Sequence, residues 1–214
     1  NNWKNPCGAP EVCSALGNSI KIGLLATTFS TILGTMIAFA IGRYAFKGRS
    51  SSNLLIFLPM ATPEIVLGAS LLSLFLVFHI NPGFWPTVIA HIMFCISFVV
   101  VTVKARIASL DPRLEQAAMD LYANELETFR RVTFPLVAPG IAGAALLAFS
   151  LSFDDFIITN FNSGTLKTFP EFVYTSAARG IPAQANVIGS AMFFLALIIV
   201  IAGQFVGKKV KVAK

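Results

Sequence analysis

Charge is scarce in this chain. Asp, Glu, Lys and Arg make up 12% of its 214 residues while hydrophobic residues reach 56%, with a mean hydropathy of +0.76. An ordinary soluble domain carries about 25% charged residues. A soluble fold has no way to cover so much apolar surface, so the bilayer must act as solvent for much of the chain. Histidine is sparse as well. Neither His79 nor His91 is spaced to complete a metal site with the cysteines, so no metal ligand set is read. His91 reads as a hydrogen-bonded residue within a helix rather than a ligand or proton relay. No G-x-x-x-x-G-K-[ST] phosphate loop is present, which excludes an ATP-hydrolysing subunit. No nucleophile-base or metal constellation recurs in the apolar stretches, which argues against an enzyme.

What is present is a series of apolar runs of spanning length. They cover Ile20 to Ile41, Leu54 to Phe78, Phe84 to Val103, Leu136 to Thr159 and Val187 to Val206, each near the ~20 residues that carry a helix across ~30 Å of hydrocarbon. Backbone polar groups find no partners in lipid, so the expected fold class is an all-α integral membrane protein with five spans. Pro59 and Pro63 fall inside the second span and are expected to kink or unwind it at mid-membrane.

The few cations set the orientation. Arg43, Lys47 and Arg49 lie in the connection at 42–53; Lys104, Arg106, Arg113, Arg130 and Arg131 lie in the connection at 104–135; Lys208, Lys209, Lys211 and Lys214 lie in the tail. The positive-inside rule makes these three segments cytoplasmic and the connections at 79–83 and 160–186 external. Net charge +6 and pI 9.5 are thereby explained by membrane topology rather than by nucleic-acid binding. An external amino terminus without a signal-peptide pattern implies a preceding span that this sequence does not contain. The expected organisation is an extracytoplasmic segment at 1–19, one membrane domain at 20–206 and a cytoplasmic tail at 207–214. In the first of these, Cys7 and Cys13 form either a disulfide or two free thiols.

Between the third and fourth spans lies a charged island, DPRLEQAAMDLYANELETFRRVTFPLVAP, from Asp111 to Pro139. Asp111-Pro112 is a helix start, and Leu114, Ala117, Ala118, Leu121 and Tyr122 follow at helical spacing while Arg113, Glu115, Gln116 and Asp120 point elsewhere. Asn124 with Glu127 forms a capping box that begins a second helix running toward Pro135. A cytoplasmic helical hairpin at 111–135 is expected, either resting on lipid headgroups or docking another protein.

Gln116-Ala117-Ala118, followed by Val132 and Phe134-Pro135, resembles the EAA signature of bacterial ABC-importer permeases, with Gln116 in place of the usual Glu, Tyr122 of the usual Gly and Phe134 of the usual Leu. GRYAFKGR (42–49), PMATPEIV (59–66), HIMFCISFVVVTVKAR (91–106) and FSLSFDDFIITNF (149–161) extend the resemblance over nearly the whole chain, to the C-type permeases of spermidine/putrescine importers. The resemblance implies a type I ABC-importer permease fold of six spans, five of them in this chain. It also implies that the hairpin docks a cytoplasmic ATPase through Gln116, Ala117, Ala118, Asp120, Leu121, Tyr122, Ala123 and Glu125.

Three acids fall within the spans: Glu64, Asp154 and Asp155. Each costs ~2.5 to 3.5 kcal/mol at a helix centre on insertion scales, so they are expected to line a cavity or to be paired. No Lys or Arg lies at comparable depth, which favours a cationic solute. Phe153, Phe156 and Trp3 are candidate aromatic faces for its ammonium groups, although Trp3 suits an interfacial anchor and the phenylalanines ordinary packing equally well. The alternatives for the acids are hydrogen bonds from Asp154 and Asp155 to a neighbouring helix or partner, and capping of the kink after Pro63 by Glu64. In the resembling family, residues matching Trp3, Glu64, Asp154 and Glu125 are tied to polyamine uptake.

The expected function is therefore that of a permease subunit of an ATP-driven polyamine importer in the bacterial plasma membrane. It is expected to work with a second permease, an ATPase dimer holding ATP and Mg, an external solute-binding protein and the lipid bilayer, with no cofactor of its own. Other readings keep the machinery with another cation or a metal chelate as cargo, or make the acids the relay of a proton-coupled carrier.

Overall fold

The computed structural model describes residues 3–9, 11–177, 180–194 and 197–198. Among them every regular element is a helix. In chain order these are α1 (Val12–Arg43), α2 (Arg49–Ala61), α3 (Glu64–Val77), α4 (Phe84–Ala108), α5 (Arg113–Asp120) and α6 (Glu125–Thr128). A π-helical turn at Phe129–Thr133 leads into α7 (Phe134–Asp154), followed by α8 (Ile157–Asn162) and α9 (Phe169–Ala177). Residues 183–194 are helical as well. Of the span expected at Val187 to Val206, the part beyond those residues lies almost wholly outside the described chain. So do Lys208, Lys209, Lys211 and Lys214 of the tail.

Among the described residues three helical runs are long and apolar enough to cross a membrane, Val12–Arg43, Phe84–Ala108 and Glu125–Asp154, and the bent pair α2 and α3 makes a fourth if it is one span. A small-residue stripe on α1 lets them approach closely. Ser19, Gly23, Ala26, Ser30, Gly34 and Ala38 are all buried there. A Cβ placed on Gly34 would stand 2.7 Å from Val99 Cγ1 on α4, and one on Gly23 would stand 3.1 Å from the Phe149 ring on α7. Lipid tails are as apolar as the side chains they replace, so such packing, rather than hydrophobic burial, holds the bundle together.

Four expected boundaries are corrected. The first helix begins at Val12 rather than Ile20, because its early residues Val12 and Ala15 pack on Phe172, Ala185 and Ile188; the segment at 1–19 is therefore partly helical. The run Leu54 to Phe78 is two helices, α2 and α3, meeting at 107°. Thr62 is extended and Pro63 cannot donate a backbone hydrogen bond, so the helix ends there, while Pro59 is accommodated inside α2. The run Leu136 to Thr159 breaks at Asp155, which is extended, and resumes as α8. Finally, the second hairpin helix is no separate element but the start of the long run to Asp154. Pro135 sits in the first turn of α7 after the π turn, in which Phe134 N–H donates to Phe129 O; the wider turn adapts the backbone to a residue that lacks its own donor.

Side-chain contacts gather the basic connections at one end of the bundle. Arg43 at the end of α1 reaches Glu115, Lys104 on α4 reaches Asn53 on α2, and Arg106 on α4 donates to Leu136 O from Nε at 3.0 Å and Nη2 at 2.8 Å. At the opposite end Cys7 and Cys13 form a disulfide with Cα atoms 5.4 Å apart. There Lys167 pairs with Glu11 at 2.8 Å, and Phe169 N–H donates to Ser19 Oγ.

Candidate substrate path and coupling surface

The breaks after α2 and α7 bring Glu64 toward Asp154 and Asp155, because α3 packs on α8. Packing of α3 on α8 holds this arrangement. Gly68 lies against Ile158 and Phe161, and the Asn162 amide donates to Gly68 O at 3.3 Å. By sequence distance along α4, the cluster's His91 lies ~10 Å inside the helix start at Phe84.

The two aspartates are placed differently. Asp155 is buried and caps α8: its carboxylate accepts from Ile158 N–H at 3.3 Å and from Thr159 N–H at 2.9 Å and Oγ1 at 3.1 Å. His91 Nε2 stands 3.4 Å away. The imidazole spans the break, with Nδ1 2.7 Å from Ser152 Oγ on α7 and Nε2 3.0 Å from Thr159 Oγ1 on α8. Asp154, the last residue of α7, is exposed, as is Glu64 in the first turn of α3. Among the described residues no Lys, Arg or His forms an ion pair with Glu64 or Asp154.

Of the aromatic candidates, the two phenylalanines are packed rather than free. Phe153 stacks on Phe149 with centroids 5.7 Å apart, and Phe156 lies 4.2 Å from Tyr174 of α9. Trp3 is exposed in the segment that precedes α1.

At the opposite end of α7 the hairpin presents a protruding apolar surface. Leu121, Tyr122 and Leu126 are exposed, Tyr122 to 97%. Gln116, Ala117, Asp120 and Glu125 are exposed too, with Ala118 and Ala123 half-buried. The capping box is formed, with Asn124 Oδ1 accepting from Glu127 N–H at 2.9 Å and Glu127 accepting from Asn124 N–H. Tyr122 adopts φ +64°, a left-handed conformation that costs a non-glycine residue ~1 to 2 kcal/mol; this explains why glycine suits that position in the EAA pattern. The expected inward face of the first helix is corrected. Leu114 and Leu121 point out and Glu115 turns in, because its charge is satisfied there. Both Nη atoms of Arg43 donate to its carboxylate, Nη1 at 2.7 Å, and the Thr133 hydroxyl donates as well. The hydrogen bonds from Arg43 are the main reason the Glu115 carboxyl is held below its ordinary pKa; partial burial opposes them and Thr133 adds to them.

Residues 24–211 match the family described as binding-protein-dependent transport system inner membrane component. The chain belongs to that family. The permease is 35% identical over 199 residues to the spermidine/putrescine transport system permease protein PotC of Escherichia coli K12, covering 92% of this chain and 75% of that protein. It is 37% identical over 186 residues to the putrescine transport system permease protein PotI of the same strain, covering 83% and 66%. Its fold is shared with a chain of the MetNI methionine ABC transporter (TM-score 0.74, 13% identity, 91% and 94% covered). It is shared too with a bacterial ABC transporter that imports alginate (TM-score 0.74, 16% identity, 97% and 82% covered). These likenesses establish a type I ABC-importer permease fold in a multi-pass membrane protein. The permease is thus a transporter component and not an enzyme, since in such systems partner subunits hydrolyse ATP.

Two features of the permease escape the sequence. His91 was expected to be hydrogen-bonded, yet its position between Ser152, Thr159 and Asp155 needs the break after α7 to be known; the only sequence signal is the pair of polar residues flanking the acids. The Glu115 clamp joins residues 72 positions apart, and nothing local marks it.

Proposed function

We propose that the permease is the subunit of an ATP-driven importer that passes polyamines across the bacterial inner membrane. The observation that carries the cargo is the acidic break: two exposed carboxylates, Glu64 and Asp154, lie at the helix breaks that the packing of α3 on α8 brings near each other, without a basic partner among the described residues. A cation passing this point exchanges its hydration shell for charge-assisted hydrogen bonds. Asp155, engaged with α8 and His91, holds the shape of the break rather than taking the solute itself. The cargo named for the permeases PotC and PotI, spermidine and putrescine, fits this chemistry.

The energy enters at the hairpin. Leu121, Tyr122 and Leu126 form an exposed apolar knob of the kind that inserts into a cleft, with Tyr122 as its aromatic anchor and Gln116, Ala117, Ala118, Asp120, Ala123 and Glu125 around it. A cytoplasmic ATPase dimer binding ATP and Mg is the partner for that knob. A second permease completes the path around Glu64 and Asp154, and an external solute-binding protein delivers the cargo, with the exposed Tyr174 near its contact.

The test is reconstitution with the second permease, the ATPase and the binding protein, followed by uptake of radiolabelled spermidine. ATP-dependent uptake displaced by putrescine and not by a metal chelate supports the reading. Uptake of a chelate undisturbed by polyamines would replace the cargo, and uptake driven by a proton gradient without ATP would replace the mechanism.

A further inference from the structure

The first hairpin helix, α5, is joined to the bundle through few side-chain contacts, whereas the second runs on into α7. No residue of α5 is buried, and a cavity of about 800 Å³ lined by Met36, Phe39, Met119, Leu126 and Phe129 separates it from the end of α1. One carboxylate bridges that gap. Glu115 receives both Nη atoms of Arg43, the last residue of α1, and the hydroxyl of Thr133, the last residue of the π turn before α7. Among the described residues no other side-chain hydrogen bond ties 111–124 to α1 or α7.

The chemistry of this junction suits transmission rather than simple adhesion. A bidentate guanidinium-carboxylate pair fixes direction as well as distance, so a displaced Glu115 pulls Arg43 along a defined line. The π turn beside Thr133 is a register feature of a kind often found at functional positions in helices. Beyond it, α7 runs unbroken to Asp154. A displacement at Glu115 therefore has a rigid route to the acidic break.

We propose that Glu115 is the positioning residue through which movement of α5 reaches α1 and the π turn before α7. This rests on the reading of the hairpin as the ATPase dock. Arg43 and Thr133 are its two receivers.

The test uses the full reconstituted complex and measures retained ATPase, ATP hydrolysis and solute transported per ATP. Glu115→Gln and Arg43→Glu are expected to keep the ATPase bound and hydrolysing while transport per ATP falls about fivefold, and the exchange Arg43→Glu with Glu115→Arg is expected to recover about half of that loss. Thr133→Val removes one receiver without changing charge, and a smaller loss in transport per ATP is expected from it; this variant decides the matter if the charge exchange fails to fold. Unchanged transport per ATP in all the single variants would overturn the proposal, as would a folded exchange no better than the single changes. Release of the ATPase by Glu115→Gln would also overturn it, by placing Glu115 in the dock itself. If the unaltered complex fails to retain the ATPase, the docking reading falls instead.

Discussion

Replacing each aspartate of the Asp154-Asp155 pair by alanine is expected to have very unequal consequences. Asp155→Ala strips two backbone donors, Ile158 N–H and Thr159 N–H, of their acceptor and leaves His91 Nε2 with Thr159 alone. A buried donor left unsatisfied costs ~1 to 3 kcal/mol, so the two together give a loss of about 3 kcal/mol. Asp154 is exposed at the end of α7, and a substitution there is expected to stay within ~0.5 kcal/mol. Cys95 provides the assay, being the free thiol of the chain and buried between α4 and Ala148 of α7. Labelling by a thiol-reactive fluorophore during a thermal ramp reports when the bundle opens. Asp155→Ala is expected to lower that midpoint by about 10 °C and Asp154→Ala to leave it nearly in place. Equal shifts, or the larger shift from Asp154→Ala, would refute the division of roles between the two carboxylates.

Three further outcomes follow from local geometry. Gly34→Ala drives a methyl into Val99, where Cγ1 and Cβ stand 2.7 and 2.8 Å away, and is expected to cost ~1 to 3 kcal/mol in the same thermal assay; Gly143→Ala, with open space at the Cβ position, is expected to be close to neutral. Tyr122→Gly relieves the left-handed backbone at φ +64° by ~1 kcal/mol; slower amide exchange in the hairpin is expected together with weaker retention of the ATPase, because the exposed ring is gone. The pKa of Glu115 is lower in the folded protein than its ordinary 4.5, so its contribution is fully present above that pH and is lost as pH falls through the depressed folded value. Protease nicking of the hairpin is therefore expected to increase only below about pH 4.5 in the unaltered protein, and to be independent of this carboxyl in Glu115→Gln.

The sequence made the helical framework legible wherever one residue type dominates the physics. Apolar runs fixed α1, α4 and α7, Pro63 marked the bend before α3, and the Asn124 and Glu127 spacing predicted a capping box that is formed with both hydrogen bonds. Interactions across the bundle were not legible. Glu115 looked like a solvated charge because its partner Arg43 is 72 residues away, and only the fold shows that α1 ends beside the hairpin. The same limit applies to the acidic break. Asp154 and Asp155 are neighbours of identical chemistry, and which of them turns inward depends on the extended backbone at Asp155 and on His91, set on a different helix. Tyr122 was legible only through the glycine it replaces in the EAA pattern, whose physical reason is the positive φ found at that position.

The central claim is that Glu64 and Asp154 carry a cation through the break between the helices. Glu64→Gln combined with Asp154→Asn preserves size and removes both charges, and ATP-dependent spermidine uptake by the reconstituted complex measures the consequence directly. Assembly and ATP hydrolysis are expected to persist while uptake falls about tenfold or more, as loss of two charge-assisted hydrogen bonds entails. Spermidine uptake at an unchanged rate and unchanged apparent affinity would contradict the claim.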